Sequence, residues 1–196
     1  MFYKIVVTIL YPIFKLLFRM KVLGRENIPE GASVVCVNHT SMADPIFIAL
    51  AFGNKEKFAF MSKKELFKNP ILKWFLTSVG AFPVDRGAAD LGTIRSSISA
   101  LKAGKKLLIF PEGTRVKGGT SNSDEVKNGV AMIALRASVP MLPVYLSTKK
   151  KIFGRTYIVI GKPVFPEKRE GTSSENYKRI STEVFDSILA MGEVCK

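Results

Sequence analysis

The stretch VNHTSMADP, residues 37–45, holds the single histidine of the 196-residue chain, His39, with Asp44 five residues later and Pro45 directly after it. Imidazole exchanges its proton near neutral pH, which suits it to taking a proton from a weak nucleophile. A loop that turns into a helix at Asp44 could bring the carboxylate to one ring nitrogen, fix the tautomer and leave the other nitrogen free to accept a proton. An aspartate followed by proline also reads as a helix N-cap with Pro45 at the first helical position. The two roles are compatible. The spacing alone does not choose between a base–acid pair and two polar residues of an ordinary loop.

Two other clusters carry charge at turns. In FPEGTR, residues 110–115, a glycine turn and an arginine follow an apolar run, an arrangement suited to offering backbone N–H groups and a guanidinium to an anion. In GAFPVDR, residues 80–86, Arg86 leads into another glycine, with Asp85 beside it. Read blandly, these are a surface turn and a solvated charge. No phosphate-loop or dinucleotide glycine pattern is present, and no Cys/His cluster offers a metal site. The basic run 149–151 lacks the aromatic interleaving or helix spacing that would favour nucleic acid.

Composition narrows the class of partner. Hydrophobic residues make up 47% and charged residues 23%, as in an ordinary globular chain, but the net charge is +14. The partner is therefore anionic: a nucleic acid, a membrane surface or a phosphorylated substrate. Two cysteines, Cys36 and Cys195, give no disulfide framework and fit a reducing compartment.

Residues 2–20 are apolar except for Lys4, Thr8, Lys15 and Arg19, which fall within roughly 60° of one another on a helix. The longest uncharged run is well short of the ~20 residues that span a bilayer. The pattern reads as a helix lying in the membrane interface with Lys4, Lys15 and Arg19 toward anionic headgroups, kinked or divided at Pro12. The alternative is a core helix docked on the domain. Domain organisation is then residues 1–20 as the interface helix and 21–196 as one domain.

Along that domain, apolar runs at Ser33–Val37, 57–61, Ala81–Val84, 106–110, Met141–Leu146 and 157–160 read as strands. Helical patterns start at Asp44 and cover 63–79 (interrupted by Pro70), 89–103, 126–137 and 176–191. Alternation of this kind predicts an α/β fold with a mostly parallel or mixed sheet flanked by helices. Sites in such sheets form outside the carboxyl ends of the strands, where His39 and Glu112 fall.

Together the motifs become recognisable. HTSMAD (39–44), GAFPVDR (80–86), FPEGTR (110–115) and VPMLP (139–143), in that order, resemble the four blocks of the glycerolipid acyltransferase family. More narrowly, they look like those of the bacterial 1-acylglycerol-3-phosphate acyltransferases. The resemblance implies transfer of a fatty acyl group from acyl-CoA or acyl carrier protein to the free hydroxyl of a lysophosphatidic acid, with no cofactor and no metal. His39 would be the general base and Asp44 its orienting acid. Arg86, Glu112, Gly113, Thr114 and Arg115 would bind the substrate phosphate, and Pro140 and Pro143 would lie on the acyl-donor side. The expected location is the cytoplasmic face of the cell membrane, peripheral or monotopic. Two alternatives stay open: acylation of glycerol-3-phosphate or another lysophospholipid, and a non-catalytic basic membrane-binding module.

Overall fold

A computed structural model of the chain describes residues 2–84, 91–116, 122–123, 126–167 and 171–193. At its centre lies β2 (Ser33–Val37), whose five residues SVVCV are all buried. A strand covered on both faces can be apolar throughout, because each successive side chain enters one of two hydrophobic layers. Val35 and Val37 pack with the layer that holds Phe47, Ile48 and Leu50, whereas Val34 and Cys36 pack with Val130, Ile133, Ile180 and Phe185.

Six more strands complete a mixed sheet: β1 (Met20–Leu23), β3 (Phe58–Lys63), β4 (Ala81–Val84), β5 (Lys106–Ile109), β6 (Met141–Leu146) and β7 (Thr156–Ile160). Their spatial order is β1-β7-β6-β2-β5-β3-β4. All neighbours are parallel except β6 and β7, which pair Val144 with Ile160 and Leu146 with Ile158. Helices α1 (Phe2–Leu17) and α2 (Asp44–Phe52) supply residues to one hydrophobic layer. Helices α4 (Leu91–Lys102), α5 (Gly129–Ala137) and α6 (Ser173–Glu193) supply the other. The short α3 (Pro70–Ser78) follows β3 and leads into β4.

Several details depart from the pattern reading. The four-residue β1 is too short to show a period, so its pairing with β7 was not anticipated. Pro70 starts α3 rather than interrupting a longer helix. Asn69 caps it, its side chain accepting the Ile71 and Leu72 amides at 3.0 and 3.1 Å, and residues 64–67 form a separate 3₁₀ turn. Helix α5 begins at Gly129, three residues later than the apolar pattern. Pro12 lies inside α1 without dividing it, on the exposed side away from the core. The opposite side keeps α1 in place through Tyr3, Val7, Leu10, Tyr11 and Phe14, with Phe18 just beyond its end. Helix α1 ends at Leu17, and Arg19 adopts a φ of 41° as the chain turns into β1.

Gly80 is required where β4 begins. Its φ is 90°, and a Cβ there would stand 2.4 Å from the Phe58 carbonyl oxygen, so only glycine lets the chain pass so close to β3.

Because β2, β5 and β6 run parallel, with Cys36 level with both Ile109 and Pro143, their carboxyl ends share one edge of the sheet. The segments that leave this edge carry His39, Glu112 and Lys150.

Candidate active site

Asn38, the first residue beyond β2, sets the direction of the loop. Its side-chain amide donates to the Leu146 carbonyl at 2.9 Å and its side-chain oxygen accepts the Leu146 amide at 2.8 Å, which ties the ends of β2 and β6 together. His39 follows, 6% exposed, and its backbone is held at both ends by the segment after β5. The His39 amide donates to both Glu112 oxygens, at 3.2 and 3.0 Å, and the His39 carbonyl accepts from the Val116 amide at 2.9 Å. Phe110 stacks on the imidazole, with ring centroids 3.8 Å apart and planes 15° from parallel.

The turn from His39 to Asp44 brings the carboxylate back to the ring. Asp44 Oδ2 lies 2.9 Å from His39 Nδ1 and accepts the Thr40 and Ser41 amides at 2.8 Å each. Lys150, from the β6–β7 connection, places Nζ 2.9 Å from Asp44 Oδ1 and donates to Thr40 Oγ1 at 2.9 Å. The predicted capping role of Asp44 therefore needs correction. Ala43 is the N-cap, and Asp44 is the first helical residue, with its carboxylate turned back to the loop before the helix.

Burial, acting alone, would raise the Asp44 pKa. The hydrogen bonds from His39, the Ser41 amide and Lys150, with the Lys150 charge, outweigh it and bring the value below the ordinary 3.8. Asp44 is therefore ionised at neutral pH and can only accept from the His39 nitrogen facing it, Nδ1. In the neutral ring, the tautomer that donates from Nδ1 leaves Nε2 as the nitrogen able to accept a proton.

A depressed carboxylate pKa contributes stability fully present above the unfolded value and lost as pH falls through the folded one. Denaturant midpoints of the wild type should therefore fall more steeply below pH 3.8 than those of Asp44→Asn. Parallel curves in that window would refute the assignment.

The other sequence candidates occupy different situations. Glu112 is buried and faces the His39 amide, so its carboxylate shapes the loop; a direct role on a phosphate would set like charges together. Gly113, at a φ of 73°, closes the turn with its amide donating to the Phe110 carbonyl at 2.9 Å. Thr114 and Arg115 are exposed beside His39, since the next amide, that of Val116, bonds the His39 carbonyl. Arg86 and Asp85 lie outside the described residues.

Pro140 sits before β6, its carbonyl accepting the Val34 amide at the opposite sheet edge from His39. Pro143 is buried within the sheet, its ring close over Gly161. Pro143 is level with Cys36 of β2, and Pro140 lies before the strand, so both sit below the strand-end turn that carries His39. Lys4, Lys15 and Arg19 are exposed on and just beyond α1. Sequence reasoning missed Lys150 and the stacking role of Phe110. Lys150 was visible only as one member of a basic run, with nothing to link it to a residue 106 positions earlier.

Comparison with known proteins places the chain in a family. The family model described as Acyltransferase matches residues 19–147. A 1-acyl-sn-glycerol-3-phosphate acyltransferase of Bacillus subtilis (strain 168) is 33% identical over 168 residues, covering 83% of this chain and 82% of its own length. One of Streptococcus pneumoniae is 38% identical over 112 residues, 57% of this chain, and the matched part spans 40% of that relative. The crystal structure of the 1-acyl-sn-glycerophosphate (LPA) acyltransferase PlsC from Thermotoga maritima superposes with a TM-score of 0.71 at 27% identity, over 99% of this chain and 82% of that one. The matched span runs from β1 to the end of β6 and takes in His39, Asp44 and the segment that clasps them; the chain belongs to the Acyltransferase family.

Proposed function

We propose that the protein transfers a fatty acyl group from a thioester, acyl-CoA or acyl carrier protein, to the free hydroxyl of 1-acylglycerol-3-phosphate, yielding phosphatidic acid for phospholipid synthesis. The observation that carries this reading is the buried Asp44–His39 contact at 2.9 Å, with Asp44 kept ionised by two amides and Lys150. The names of the relatives point to the same acceptor.

In the reaction, His39 Nε2 takes the hydroxyl proton as the oxygen attacks the thioester carbonyl carbon. The tetrahedral intermediate collapses, the C–S bond breaks, and the departing thiolate receives that proton from the imidazolium. Asp44 holds the ring and offsets its transient positive charge. An activated thioester needs no covalent enzyme intermediate, because the alcohol is the only weak partner. Arg115 would meet the acceptor phosphate, since a guanidinium matches a dianion in both charge and geometry. Lys127, whose amide bonds the Pro111 carbonyl and whose side chain lies against Gly113, adds a second cation to that side.

No helix among the described residues is long and apolar enough to cross a membrane. The reading adopted is a protein that rests on the cytoplasmic face through α1.

The test is an acceptor panel with purified protein and one acyl-CoA, following thiol release with lysophosphatidic acid, glycerol-3-phosphate and lysophosphatidylcholine. Lysophosphatidic acid should be the best acceptor; preference for either of the others would replace it, and no turnover with any would favour a binding module. Arg115→Ala should raise the KM for the phosphorylated acceptor about tenfold or more, the loss of one charge-assisted contact, with kcat less affected. An unchanged KM would take Arg115 out of the phosphate site.

A further inference from the structure

Helix α1 presents two apolar faces. One docks on the core through Tyr3, Val7, Leu10 and Phe14, while Ile5, Ile9, Ile13 and Leu16 lie exposed on the other. Beside its start runs α3, in which no residue is buried, with Ile71 78% and Trp74 61% exposed. The helices meet through Phe2, whose ring lies 5.2 Å from that of Trp74 and 6.0 Å from that of Phe75. Nine residues without a buried face make a helix that is marginal in water, even with the Asn69 cap. A surface layer over α3 would supply the burial that the fold does not.

The charges around this surface indicate what covers it. Residues 2–19 carry Lys4, Lys15 and Arg19 and no acidic group, and residues 63–78 carry Lys63, Lys64, Lys68 and Lys73 with Glu65 as the one acidic group. A second copy of the chain would bring two such basic rims together, in a protein whose net charge is already +14. An anionic bilayer complements both the apolar centre and the basic rim, and tryptophan favours its headgroup level.

We propose that α3 is a second interfacial anchor, inserting Ile71 and Trp74 into the surface of an anionic bilayer next to the outer face of α1. The inference rests on the reading that α1 lies on the membrane and adds an element from between β3 and β4. Segment 64–78 leaves the same sheet edge as His39, because β3 and β2 both run parallel to β5. A bilayer held against α3 thus adjoins the edge where the reaction takes place.

Trp74 is the sole tryptophan and reports on its own surroundings. Full-length protein would be mixed with vesicles of phosphatidylglycerol and phosphatidylcholine, and with phosphatidylcholine alone, while sedimentation measures binding. With the anionic vesicles, emission should move to shorter wavelength, acrylamide should lose access, and brominated acyl chains should quench. Ile71→Asp should weaken sedimentation about tenfold or more, the effect of keeping one large apolar side chain out of the bilayer, with an unchanged circular dichroism spectrum. Sedimentation with unaltered Trp74 emission overturns the role of α3 and leaves that of α1 standing. Absence of sedimentation overturns both. A blue shift that grows with protein concentration without lipid assigns the surface to a second copy and overturns the proposal.

Discussion

His39→Ala should lower the rate of acyl transfer by about 10²–10⁴-fold, the usual contribution of a positioned base to proton removal. The loss falls on kcat, because no contact with the bound acceptor's phosphate is removed. The fold survives, since the His39 backbone stays held by Glu112 and Val116 and the imidazole contributes only its stacking on Phe110 and its bond to Asp44. Thiol release from acyl-CoA in the presence of acceptor, compared with wild type at equal folded concentration, measures the effect. Near-wild-type turnover would remove His39 from the chemistry and leave its burial as a structural fact.

Asp44→Asn should lower kcat by a comparable factor, about 10³–10⁴, by a different route. Oδ2 accepts three donors, and Oδ1 faces the Lys150 ammonium. A carboxamide has one oxygen. If it accepts the Thr40 and Ser41 amides, its NH₂ meets Lys150; if it turns over, its NH₂ meets the two amides. Either way donor opposes donor, the imidazolium loses the charge that steadies it, and the loop loses its centre. The accompanying loss of stability is about 1–3 kcal/mol, the cost of buried polar groups left unpaired. Full activity with normal stability would show that the carboxylate neither orients nor steadies His39.

Much of the architecture was legible because its signals are local. The apolar runs of β2, β4 and β6 coincide with strands, and the alternation of strands and helices gives the mixed sheet. The His39–Asp44 pair was legible as a possibility because both members sit in one turn. Lys150, Glu112 and Phe110 reach that turn from two other strand ends, and only the sheet order makes them neighbours. The cap at Ala43 was misread for a related reason: Asp44 has the right type and place to cap α2, but the Thr40 and Ser41 amides and Lys150 compete for its carboxylate and prevail. Helix α1 was read as apolar around most of its circumference, and the structure divides that circumference into a docked side and an exposed side.

The docked side of α1 decides how the molecule can be dissected. The Phe153 amide bonds the Leu17 carbonyl at the end of α1, and Phe153 shares the β6–β7 connection with Lys150. Cutting away the first twenty residues would strip Phe14 from Phe47, open the core above α2 and release the loop that steadies Asp44. A truncated chain that loses activity would therefore say nothing specific about lipid attachment. Exchanging Ile5, Ile9 and Ile13 for serine, on the side that touches nothing in the core, separates adhesion from integrity within a single intact chain.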